Sequence, residues 1–81
     1  MAMSEVLPGK EMETALKVAK VVFKEKDGHF NMVPAGVGFG ANGVSVAGIY
    51  DMGAGPILFC NDKIEDELRK EGLVFKDARQ E

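Results

Sequence analysis

The sequence predicts an α+β domain: a small mixed β-sheet of four to five strands with two helices, in the order α-β-β-β-β-α-β. Three observations predict it. Apolar residues recur at three- and four-residue steps from Lys10 to Glu25, an Asn42-Gly43 turn sits between two apolar runs, and a charged segment follows the short apolar run Pro56–Cys60. With 81 residues the chain has room for one core. A chain this short buries roughly 60% of the surface its unfolded form exposes, so dimerisation is a natural way to extend that core. Residues 1–9 read as a disordered N-terminal segment, 10–76 as a single α+β domain, and 77–81 as a frayed tail.

The first helix is expected over Lys10 to Glu25. Lys10, Glu13, Thr14, Lys17, Lys20 and Lys24 form a polar stripe, and Met12, Ala15, Leu16, Ala19, Val22 and Phe23 an apolar one. Glu11 and Glu13 lie near its positive end, Lys24 and Lys26 near its negative end, and Gly28 suits a C-terminal cap. A rival reading makes Asp27-Gly28 a hairpin that pairs Phe23 with Met32 and shortens the helix. The β-branched Val18, Val21 and Val22 lend it support.

From Val33 to Cys60 the one charged residue is Asp51, and the same stretch holds seven of the ten glycines. Those glycines, with Pro34 and Pro56, break any membrane-spanning helix, so buried strands are expected and no membrane association. Asn42-Gly43 suits a type I′ hairpin turn. It would set Ala41 opposite Val44, Phe39 opposite Val46, Val37 opposite Gly48 and Gly36 opposite Ile49. One face then carries Val37, Phe39, Val44, Val46 and Tyr50. The other carries Gly36, Gly38, Gly40, Ser45, Ala47 and Ile49, nearly bare of side chains.

Pro56–Cys60 reads as a short buried strand, and Asn61 or Asp62 opens the second helix, with Asp62 and Glu65 spaced as a capping box. Glu65–Arg69 and Asp66–Lys70 are acid-before-base pairs four residues apart, Ile64 and Leu68 face inward, and Gly72 ends the helix. Leu73 to Phe75 is expected to form a last strand parallel to Pro56–Cys60. Both helices are expected on one face of the sheet.

Composition excludes several functions. The net charge of −3, with basic residues interleaved among acidic ones and few aromatics, argues against a nucleic-acid partner. One cysteine and one histidine, Cys60 and His29, make neither a disulfide nor a zinc site, so no metal and no cofactor are expected. The setting expected is reducing and cytoplasmic. His29 reads as a surface residue, and Met12, Met32 and Met52 as gap-filling core residues.

Three groups of residues could carry chemistry. Gly38, Gly40 and Gly43 match G-x-G-x-x-G, yet strand-type sequence rather than a helix follows them, which weakens a phosphate or nucleotide site. Cys60 lies between a strand and a helix, where a helix N-terminus can create a thiolate; this unit resembles, in outline, small thiol and sulfur-transfer proteins. Asp62 and Glu65 place negative charge beside it and no histidine base adjoins it. Asp51 precedes the Gly53-Gly55 turn and either bonds that turn or serves as a functional carboxylate.

The glycine face is the more informative feature, because glycines inside strands leave space for something close to the backbone. The leading expectation is a small non-catalytic binding or protein-interaction domain, homodimeric through that face, with Gly36, Gly38, Gly40, Gly43, Ser45 and Asp51 as candidate contacts for an unknown protein partner or a small molecule. A thiol-dependent enzyme or sulfur or redox carrier using Cys60 is the first alternative. A phosphate or nucleotide binder at Gly38–Gly43 is the second.

Overall fold

The computed structural model describes residues 2–76. Its elements run β1 (Ala2–Glu5), α1 (Glu11–Val22), β2 (His29–Val33), β3 (Gly36–Ala41), β4 (Val44–Asp51), β5 (Pro56–Cys60) and α2 (Asp62–Lys70). The five strands form one sheet in the order β1-β5-β4-β3-β2, and every pairing is antiparallel. The α+β class and five strands agree with the sequence; the mixed sheet and the element order do not.

The correction comes from the two ends of the chain. Ala2–Glu5, expected to be disordered, is the edge strand beside β5, with Ala2 opposite Cys60 and Ser4 opposite Leu58. Alternation explains its place: Ala2 and Ser4 are buried, while Glu5 is exposed. Leu73 to Phe75 is not a strand. That segment passes the outer side of β1, where the Glu5 N–H donates to the Lys76 carbonyl at 2.9 Å and the Lys76 N–H to Ser4 Oγ at 2.8 Å. Leu73 and Phe75 pack against the core, and the Arg69 guanidinium sits 4.6 Å from the Phe75 ring centre. The expected frayed tail at 77–81 lies outside the described residues.

Asn42 and Gly43 make the expected turn between β3 and β4, with φ of 58° and 81°. The register beyond it is not the expected one. Gly40 faces Ser45, but Phe39 faces Ala47, leaving Val46 as the extra residue of a β-bulge. The Val46 carbonyl is used elsewhere: it accepts the Asn61 N–H at 3.0 Å, where β5 hands over to α2. One extra residue moves every later side chain of β4 to the opposite face. Ile49 thereby joins Val37, Phe39 and Ala47 on the face that carries the core, and Tyr50 joins Gly36, Gly38 and Gly48 on the other.

Both helices lie on the first of these faces. Leu58, Ile64, Leu68, Val18, Val22 and Cys60 are the largest fully buried side chains there. Each large aliphatic among them contributes about 1.5–3 kcal/mol through burial. The α2 helix follows its sequence closely. Asn61 is the N-cap, its Oδ1 accepting the Ile64 N–H at 2.9 Å, so Asp62 is the first helical residue rather than a capping-box member. Arg69 pairs with Glu65 at 2.7 Å, and Lys70 lies 3.7 Å from Glu67. Gly72 at φ 92° closes the helix, with the Leu73 N–H bonded back to the Leu68 carbonyl.

The α1 helix exists, as the sequence predicts, but it is shorter and turned. It stops at Val22, Phe23 is its cap, and a loop leads into β2. Gly28 is not the cap; it lets the chain pass tightly under the helix end, where a Cβ would strike the Val22 carbonyl oxygen. The buried stripe is Thr14, Val18, Val21 and Val22. Met12, Leu16 and Phe23, expected to face inward, are exposed. The β-branched valines that hinted at a strand are the ones the core selects.

Candidate interaction surface

The glycines that looked bare in sequence are covered from within the chain. Tyr50 lies flat over β3 and β4: a Cβ at Gly48 would collide with its ring, and one at Gly38 would come within 2.8 Å of its hydroxyl. The His29 ring lies over Gly40, 2.7 Å from where a Cβ would stand, and its Nδ1 is 2.8 Å from the Asp27 carbonyl oxygen. At Gly36 the obstacle is backbone, the carbonyl of Ile49. Absent side chains here make room for Tyr50, which the bulge brings in, and for His29, which β2 sets opposite Gly40.

The other sequence-selected residues do not gather into one site. Gly43 is the exposed hairpin tip, with nothing near its missing Cβ. Ser45 is exposed beside Gly40. Asp51, at the end of β4, accepts the Gly53 N–H at 2.8 Å and the Gly55 N–H at 3.2 Å through Oδ1, which makes it a turn-forming residue.

Cys60 ends β5 on the helix-covered face and is 2% exposed. Burial, followed by the nearby Glu65 carboxylate, pushes its thiol from an ordinary value near 9 up to about 11. A nucleophilic thiol needs the opposite shift. Among the described residues no group of three or more His, Cys, Asp or Glu could hold a metal ion. No helix among them is long and apolar enough to cross a membrane.

A larger concavity lies elsewhere among the described residues, on the helix side at the β2 edge of the sheet. It is a groove of about 700 Å³ between α1 and β2–β3. Ala15, Ala19, Val37 and Phe39 form its floor, and Met12, Leu16, Phe23, Phe30 and Met32 line its open side. Those last five residues are each 50–73% exposed. The Phe23 and Phe30 rings meet at 6.2 Å, tying the end of the helix to the start of β2. Charge is confined to one end, where Glu11 and Asp51 border the groove. The opposite face of the sheet has a smaller depression of about 550 Å³ around Tyr50, Met52 and Phe59.

None of the five groove residues was selected in sequence as a contact residue; the methionines read as core filling. A signal was present. The helix has apolar residues at Val18, Val21 and Val22 and again at Met12, Leu16 and Phe23, more than one buried stripe consumes.

Fold and groove define a class: a small α+β module, its antiparallel sheet covered by helices on one face, with an open apolar groove along one edge. Set against protein-family models, curated proteins and solved structures, the chain matches none of them.

Proposed function

We propose that this chain is a small non-catalytic interaction module that works through the groove between α1 and β2. The observation that carries this reading is five large apolar side chains exposed together on two adjacent elements. A monomeric protein seldom leaves a contiguous apolar patch beyond a few hundred Å² open to water unless something binds there. This moves the interaction surface from the glycine face to the opposite side of the sheet. The glycine face loses its support because Tyr50 and His29 fill the space that a partner was expected to occupy.

The alternatives are weaker on the same grounds. A thiol mechanism at Cys60 meets a buried sulfur whose proton is held more tightly than usual. A phosphate site at Gly38–Gly43 meets a hairpin with no following helix, two of its glycines lying under aromatic rings. A reducing, cytoplasmic setting goes with the proposal, since the chain's one cysteine is a buried free thiol.

An apolar reporter dye tests the reading. At dilutions where light scattering shows a single copy, the native chain is expected to enhance dye fluorescence, and Leu16→Glu to abolish most of the signal while leaving the far-UV circular dichroism unchanged. A single-copy native chain that leaves the dye dark overturns it.

A further inference from the structure

We infer that a second copy of this chain covers the groove, with β2 of one copy adding antiparallel to β2 of the other about a two-fold axis at Asn31. This rests on the reading of the groove as an interaction surface and names its occupant.

The two edges of the sheet differ in how they are guarded. At β1 the C-terminal segment takes up the Glu5 N–H and the Ser4 hydroxyl. β2 is the other edge, all five of its residues are exposed, and its sequence His-Phe-Asn-Met-Val holds no lysine, no proline and no bulge. Those are the devices by which natural edge strands resist pairing.

The geometry of that edge is self-complementary. Val33 and Gly36 close a two-residue turn, so they form a hydrogen-bonded pair of the β2–β3 ladder. Alternation then points the backbone groups of His29, Asn31 and Val33 at β3 and those of Phe30 and Met32 at the open edge. A two-fold at Asn31 sets Phe30 opposite the second copy's Met32, and Met32 opposite its Phe30. The four free groups of each strand meet their counterparts in four hydrogen bonds. No like charges are set opposite one another, because β2 carries no acidic residue, lysine or arginine.

The side chains agree with the backbone. Phe30 and Met32 point to the helix side, so both copies of α1 flank the axis and Leu16 meets the joined groove. At ~200 Å² for a full Phe or Met side chain, the exposed apolar surface there is roughly 600 Å² per copy. Adding the strand backbone brings it near the about 800 Å² per partner of a standard specific interface. A continuous ten-stranded sheet results, closed by symmetry rather than open to further addition at β2.

Light scattering of the full chain is expected to give twice the chain mass. Amide hydrogen exchange is expected to show the Phe30 and Met32 N–H groups protected, although both face open water in a single copy. Met32→Asp should weaken the dimer about a hundredfold, the loss of one central interface residue. Asn31→Cys should link two copies through a disulfide on the axis under mild oxidation, while His29→Cys should not. If Met32→Asp fails to fold, exchange on the native chain still decides. A dimer in which Phe30 and Met32 exchange freely overturns the proposal. So does a strict monomer, and a monomer that still binds the dye through Leu16 leaves the interaction reading standing with a different partner.

Discussion

Tyr50 shows how one inserted residue reassigns a whole surface. Val46 occupies the bulge, so Tyr50 falls on the glycine face and spreads over Gly48 and Gly38. A methyl group at Gly48 has no room. Gly48→Ala should therefore cost about 1–3 kcal/mol by overpacking, and most of that cost should vanish in a Tyr50→Ala background. Tyr50 is the chain's one tyrosine and there is no tryptophan, so its emission reports the displacement directly. Cys60 yields a second prediction. Its thiol keeps its proton up to about pH 11 in the folded chain but loses it near 9 when unfolded. Between those values the unfolded state binds fewer protons, so stability is full below pH 9 and falls as pH rises, by up to about 1.4 kcal/mol per pH unit. Urea titrations from pH 8 to 11 should show this fall in the native chain and lose that component in Cys60→Ala. Thiol reagents should label Cys60 rapidly in denaturant and hardly at all in the folded chain at pH 8.

At the scale of elements, α1 has two apolar stripes with different duties. Val18 is fully buried and Leu16 is exposed to the groove. Val18→Ala should cost roughly 2–3 kcal/mol, from lost burial and the cavity left behind. Leu16→Ala should change chemical stability little in a dilute monomer. Denaturant midpoints for the pair check this, and equal losses would mean that both stripes serve the core. In α2, Asn61→Ala removes the N-cap bond to the Ile64 N–H and should cost about 1 kcal/mol, measured the same way. Lys20 of α1 and Lys24 just beyond its cap reach across to Glu71, the residue that caps α2, at 3.0 and 3.8 Å. The Lys20 hydrogen bond and charge hold the Glu71 carboxyl below its ordinary range, so this link is present at neutral pH and lost as pH falls through the acid range.

For the whole molecule, a single sheet covered by two short helices leaves much apolar surface in reach of water. Association would extend the core that a chain of this length cannot complete alone. Stability should then depend on concentration, because a partner that binds only the folded chain shifts unfolding by mass action. The thermal midpoint is expected to rise by several degrees between micromolar and near-millimolar chain, and Met32→Asp should make it constant. Scanning calorimetry over that range measures both.

Local chemistry was legible in the residues. Asn42-Gly43 specifies its turn because few other pairs tolerate positive φ twice in succession. Asn61 to Gly72 specifies a helix with its cap, its ion pair and its stop, all of which depend on neighbours a few positions away. The α+β class followed from such local signals. The bulge at Val46, the place of Ala2–Glu5 and the choice of buried stripe on α1 did not. Each turns on contacts between residues far apart in the chain: Val46 with Asn61, Ala2 with Cys60, Val18 with the sheet. Spacing says which residues share a face, but only packing settles which face wins the core, and that choice left the groove open.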